Sequence, residues 1–139
     1  MKVYHYTKEF HLERILSDGF IKVAPFVSPM PDLVWLTSEE FVPNTARPQN
    51  QHADPPRFFD VFKYHRFVFD SSNPLIKPWT TYQKTFEEKR VVTALNKTAK
   101  DLKDKPESWY VSEEPLPIEE YEKATANPDV NVFIGGEWV

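Results

Sequence analysis

The chain opens with Val3-Tyr4-His5-Tyr6-Thr7, runs through an amphipathic segment that stops at Gly19, and returns to apolar order at Val34-Trp35-Leu36-Thr37-Ser38. This strand–helix–strand beginning constrains the fold more than any other stretch. Side chains alternate across a strand, so Val3 and His5 share one face and Tyr4 and Tyr6 the other. Thr7 is the expected N-cap of a helix that continues through Ser17. Leu12, Ile15 and Leu16 form its apolar stripe, with Glu13, Arg14 and Asp18 toward water. Gly19 is the expected left-handed stop, and Phe20 to Val23 then runs extended.

Beyond this point the chain is punctuated by proline. Pro25, Pro29 and Pro31 define a stiff loop. Leu33 to Thr37 reads as a second strand. Phe41 to Arg57 is rich in Pro, Asn and Gln and has no period, which predicts a lid or a partner-binding loop. Phe58 to Asp70 is a third strand region, clearest at His65-Arg66-Phe67-Val68-Phe69-Asp70, and Ser71 to Pro78 is turn-like. Thr85-Phe86-Glu87-Glu88 matches a capping box. It opens a helix to about Leu102, with Val91, Leu95, Thr98 and Leu102 on one side and Lys97, Lys100 and Lys103 near the end, where cations are favoured.

Ser108 to Ser112 is a further strand, and Ile118 to Ala124 reads as one or two helical turns. Gly135-Gly136 between Val130–Ile134 and Glu137–Val139 signals a hairpin. The expected architecture is one α+β domain over 1–139. Its sheet is split or bent and mostly antiparallel, with two main helices packed on it. The expected core is Leu12, Ile15, Leu16, Leu36, Phe67, Phe69, Val91, Leu95 and Val111.

Composition narrows the chemistry. The chain has 139 residues, the size of one domain, and no cysteine. That excludes disulfides, zinc–thiolate sites, zinc-deaminase chemistry and a cysteine nucleophile, and fits a cytoplasmic location. The net charge is −4 with 17 Lys and Arg, so the overall charge carries no nucleic-acid footprint. No apolar run reaches membrane-helix length, so no membrane partner is expected. Aromatic residues make up 15% of the chain, with 13 prolines against 3 glycines, which implies short strands, stiff loops and a core of large side chains. Phosphate-cradling glycine loops and the Gly-x-Ser-x-Gly elbow are missing, and the histidine spacing offers no metal site.

His5, at the end of the first strand, is suited to bonding a ribose hydroxyl or, equally, a backbone carbonyl. Tyr6 or Trp35 can present an aromatic face to a flat ring, while Thr37 or Ser38 can bond a ribose or orient a carboxylate. Arg66 lies inside an apolar alternation and needs a partner. It can hold a diphosphate through its planar fork, or pair with Asp70 or Glu40.

The blocks Tyr4-His5-Tyr6-Thr7, Gly19 and Val34-Trp35-Leu36-Thr37-Ser38 resemble the N-terminal third of ADP-ribosyltransferase-like proteins. His65-Arg66-Phe67-Val68-Phe69 and Trp109-Tyr110-Val111-Ser112-Glu113-Glu114-Pro115-Leu116-Pro117 resemble later strands of small bacterial or phage proteins with that beginning. The resemblance implies NAD as ADP-ribose donor, with a first-strand His-x-Thr, here His5 and Thr7, gripping the nicotinamide riboside. It implies cleavage of the nicotinamide–ribose bond and transfer to protein, nucleic acid or water. It further implies a late glutamate at the start of a strand, for which Glu107, Glu113 and Glu114 are the candidates. Such a carboxylate stabilises an oxocarbenium-like transition state. Tyr6 stands where the family commonly has glycine. The alternative expectation is an inactive binding module or phage-encoded inhibitor that recognises a nucleotide ligand or a host protein.

Overall fold

A computed structural model describes residues 1–24, 32–46, 49–50, 57–59, 63–86, 89–125, 132–134 and 137–138. The loop prolines 25, 29 and 31, the glutamates of the capping box and the Gly135-Gly136 turn lie outside the described residues. So does part of the loop over 41–57.

The chain forms β1 (Lys2–Lys8), α1 (Glu9–Asp18), β2 (Phe20–Ile21), β3 (Val34–Thr37), β4 (Gln49–Asn50), β5 (Arg57–Phe59) and β6 (Tyr64–Asp70). It continues with β7 (Lys77–Pro78), α2 (Trp79–Tyr82), α3 (Lys89–Asp101), β8 (Trp109–Ser112), β9 (Leu116–Pro117), β10 (Glu120–Ala124), β11 (Val132–Ile134) and β12 (Glu137–Trp138). The principal sheet has six strands in the order β10-β6-β1-β3-β8-β7, and every pairing in it is antiparallel. A second sheet, β12-β11-β5-β4, contains the parallel pair β11·β5. The fold is α+β with mostly antiparallel pairing.

Alternation along the strands builds a core on each face of the principal sheet. Val3, Val34, Leu36, Phe67 and Phe69 pack with Ile15 of α1 on one side. Trp109 and Val111 pack with Trp79 and Tyr82 of α2 and Val92 and Ala99 of α3 on the other, and Trp35 leans against this second cluster. Trp79 is fully buried, and its indole N–H donates to Asn96 Oδ1 at 3.2 Å. A buried indole needs such a partner.

Ile15, Leu36, Phe67, Phe69 and Val111 are buried as expected. Leu12, Val91 and Leu95 are half-buried, and Leu16 is 39% exposed, so the apolar stripe of α1 is narrower than its sequence suggests. One residue of helix rotates the side chain by roughly 100°, which carries Leu16 from beside Ile15 to the rim. On α3 the buried residues are Val92 and Ala99, and Thr98 is exposed.

Thr7 is not the cap of α1. The ladder to β6 continues through Thr7↔His65 and Lys8↔Tyr64, so the helix cannot start before Glu9. Lys8 is the N-cap, and the Glu9 N–H donates to the Lys63 carbonyl at 2.9 Å. Gly19 has φ of 80°, the expected left-handed stop, and its N–H donates to the Ile15 carbonyl at 2.9 Å.

Residues 120–124 are a strand and not a helix. They pair with β6 from Glu120↔Val68 to Ala124↔Tyr64. Glu, Lys and Ala favour helix locally, but the open edge of β6 supplies hydrogen-bond partners that outweigh that preference.

Candidate functional site

The first two strands of the motif are neighbours but barely joined. β1 pairs with β6 from Lys2↔Asp70 to Lys8↔Tyr64, and β3 pairs with β8 throughout. Between β1 and β3 the one Cα pair is Tyr4↔Thr37. The sheet is therefore two three-stranded halves that part beside Tyr6 and Trp35. A cavity of about 390 Å³ occupies this region, lined by Tyr4, His5, Tyr6, Trp35, Leu36, Thr37 and Trp109 from the strands. Ala24, Pro43, Thr45, Ala46 and Leu95 complete it.

Strand alternation sends His5 and Trp35 to opposite faces, yet both reach the cavity because the ladder is interrupted there. His5 Nδ1–H donates to the Trp35 carbonyl at 2.8 Å. This bond spans the gap where regular pairing is missing and leaves Nε2 as the acceptor of the neutral ring. Burial holds the His5 pKa below the usual histidine value, and the bond to Trp35 opposes that shift without cancelling it.

The walls are aromatic. The Trp35 ring lies 5.0 Å from Trp79 and meets Trp109 edge-on at 5.9 Å. Tyr4 and Tyr6 lie 6.1 Å apart. Tyr6 Oη–H donates to the Glu39 carbonyl at 2.6 Å, and burial pushes its pKa up to about 12. The hydroxyl is therefore a fixed proton donor at neutral pH.

Thr37 is committed to the scaffold. Ser108 Oγ–H donates to the Lys105 carbonyl at 2.6 Å, so its oxygen accepts from the Thr37 hydroxyl at 3.2 Å. Thr37 Oγ1 in turn accepts from the Glu39 N–H at 3.1 Å. Ser38 joins the same knot, its N–H donating to the Ser108 carbonyl at 3.0 Å.

Arg66 is held by neither Asp70 nor the Glu40 carboxylate. Its Nε–H donates to Glu122 at 2.6 Å, and one terminal nitrogen donates to the Glu40 carbonyl at 3.0 Å and Tyr6 Oη at 3.3 Å. The guanidinium also stacks 4.0 Å above the Tyr4 ring. It braces the cavity wall from behind.

The structure divides the remaining candidates. Thr7 lines an adjoining chamber of about 170 Å³ with Tyr6, Lys8, His11, Val42, Ala46 and Tyr64. Glu107, Glu113 and Glu114 are exposed, and none lines the aromatic cavity. Glu113 pairs with Lys77 at 3.2 Å beyond the far end of β8. The first residue of β8, which does face the cavity, is Trp109. No carboxylate lines the cavity among the described residues.

Sequence reading missed Tyr4, Trp109 and Leu95 as lining residues, and it expected a lid or partner-binding loop over 41–57 without naming Pro43, Thr45 and Ala46. Tyr4 and Trp109 could have been found, because each alternates with a strand residue already suspected of facing inward. Which residues of that loop approach the cavity carries no local signal. It is fixed by the Thr45 N–H donating to Asp104 at 2.8 Å and the Val42 N–H donating to the Thr125 carbonyl at 3.0 Å.

Comparison matches this chain to no family model, no curated protein and no solved structure. Among the described residues no group of acids and histidines is placed to hold a metal ion, and no helix is long and apolar enough to cross a membrane.

Proposed function

We propose that this chain is a nucleotide-recognition domain with an ADP-ribosyltransferase-like layout, taking the flat heteroaromatic end of an NAD- or ADP-ribose-type ligand between β1 and β3. One observation carries the reading: a cavity at the parting of the sheet whose walls are Tyr4, Tyr6, Trp35 and Trp109, with no carboxylate among its described lining residues. Aromatic walls suit a stacked ring, and His5 offers a single acceptor to orient a ribose hydroxyl. Trp109 occupies the strand-start position where the resemblance calls for a glutamate, so binding is favoured over bond cleavage.

The second reading is NAD-dependent ADP-ribosyl transfer or NAD hydrolysis. The place of His5 at the gap between the strands supports it. On that reading NAD is the donor, His5 holds the ribose, and Glu107, Glu113 or Glu114 would have to reach the cavity.

Calorimetry with NAD, ADP-ribose and nicotinamide riboside, run beside an assay for released nicotinamide, tests both. Saturable binding without release supports recognition. Release that Glu107→Gln, Glu113→Gln or Glu114→Gln abolishes establishes cleavage of the nicotinamide–ribose bond. No binding of any of these compounds rejects both readings. A ligand present at a hundred times its Kd raises stability by about 2.7 kcal/mol, so thermal melting gives an independent readout.

A further inference from the structure

We infer that the chamber bounded by Thr7, Lys8 and His11 is an anion subsite, shaped for the phosphate of a nucleotide whose base lies in the aromatic cavity. The assignment of the base rests on the function proposed above, whereas the anion site stands on its own geometry. The chamber measures about 170 Å³ and shares Tyr6 and Ala46 with the aromatic cavity. That is room for several water molecules, enough for a phosphate group. In a nucleotide one ribose separates the base from its 5′-phosphate. Here Tyr6 and Ala46 form the common wall of the two spaces.

Among the described residues the charge in the lining is of one sign. Lys8 and His11 can present N–H donors, and Thr7 and Tyr64 bring hydroxyls, whereas the Tyr6 hydroxyl is held by the Glu39 carbonyl and serves as wall. Among the described residues no carboxylate lines this chamber. The nearby Glu9 carboxylate is drawn instead to His65 Nε2, at 3.5 Å. A phosphate prefers such a setting because charged donors form its strongest hydrogen bonds.

A third space, which shares Val42 with this chamber, is a built-in contrast. It measures about 140 Å³ and shares Thr37, Pro43 and Trp109 with the aromatic cavity. There Lys103 and Lys105 are offset by Glu39 and Asp104, and the Asp104 carboxylate is occupied by the Thr45 N–H. An anion gains no net charge complement there.

The first test is a titration of the full chain with inorganic phosphate at constant ionic strength, followed through the amide resonances of Thr7, Lys8 and His11. Saturable shifts are expected, with affinity reduced by at least about tenfold in a Lys8→Ala, His11→Gln double variant. Lys8→Arg, which keeps the charge, is expected to retain binding and controls for misfolding. Shifts that never saturate, or that persist unchanged in the double variant, overturn the site.

The second test compares nicotinamide mononucleotide with nicotinamide riboside by calorimetry. The mononucleotide is expected to bind about tenfold tighter, with the advantage lost in the double variant. Equal affinities overturn the subsite and leave the aromatic cavity intact. Saturable phosphate binding with neither nicotinamide compound bound sustains the subsite and rejects the proposed base site.

Discussion

His5 donates through Nδ1 to the backbone carbonyl of Trp35 at 2.8 Å, from a strand joined to that of Trp35 by one Cα pair. A side chain thus supplies a link that a regular ladder would have drawn from the backbone. The gap it spans is also the gap that makes a cavity. The neutral ring with its proton on Nδ1 keeps both this bond and a free Nε2 lone pair, whereas a protonated ring keeps the bond and loses the Nε2 acceptor.

The depressed pKa of His5 gives stability a pH dependence of definite sign. The folded state binds fewer protons than the unfolded state once pH falls below the unfolded histidine value of about 6.5. Stability contributed by the neutral ring is present above that pH and is lost as pH falls toward the lower folded value. Urea midpoints measured from pH 7.5 to pH 5 are expected to fall more steeply for wild type than for His5→Asn. Parallel profiles would show that His5 does not titrate in an enclosed site.

Tyr6 predicts the opposite limb. Its folded pKa of about 12 exceeds the unfolded value of about 10, so the folded state holds an extra proton between them. Stability is expected to decline as pH rises from about 10, and Tyr6→Phe is expected to weaken that decline. Tyr6→Phe also removes the donor to Glu39 and an acceptor for Arg66, at a cost of about 1 kcal/mol near neutrality. Ultraviolet titration of the ionised phenol and urea unfolding of both proteins measure the two effects.

Arg66 should behave as a brace whose planar shape matters as much as its charge. Arg66→Lys keeps the charge but loses the fork that reaches Glu122, Tyr6 and the Glu40 carbonyl together. Both Arg66→Lys and Arg66→Ala are expected to destabilise by about 1–3 kcal/mol, with alanine the larger. Chemical denaturation decides, and a lysine variant as stable as wild type would falsify this role.

Ile15 and Leu16 are adjacent, yet they differ in burial. Ile15 is 6% exposed and Leu16 is 39% exposed. Ile15→Ala is expected to cost about 2–4 kcal/mol and Leu16→Ala under about 1 kcal/mol. Equal losses in urea unfolding would mean that α1 is rotated relative to the sheet.

Lys103, two residues past the end of α3, has φ of 63° and is the one non-glycine residue in the left-handed region among those described. The following Asp104 N–H donates back to the Ala99 carbonyl at 2.8 Å, which is the Schellman closure usually completed by glycine. Lys103→Gly is expected to raise stability by up to about 1 kcal/mol. A thermal melt that drops on this substitution would show that the lysine side chain is needed where it lines the space of about 140 Å³.

The sequence by itself determined the elements whose signals are local. β1, Gly19 as a stop, β3 and β8 follow from alternation and from the one residue that tolerates positive φ. The suspected neighbourhood of His5, Tyr6 and Trp35 was legible because short connections keep consecutive elements close. Tertiary structure decided what local signals cannot encode. Residues 120–124 became a strand because β6 offered an open edge. Thr7 stayed in β1 because the same ladder ran two residues past the end of the apolar pattern. Arg66 took Glu122 as its partner because β10 lies beside β6, placing them opposite each other. The carboxylates at 107, 113 and 114 lie away from the cavity because β8 presents Trp109 there. A strand's register and the identity of its neighbours fix which side chain faces a given space, and those arise from pairing between distant segments.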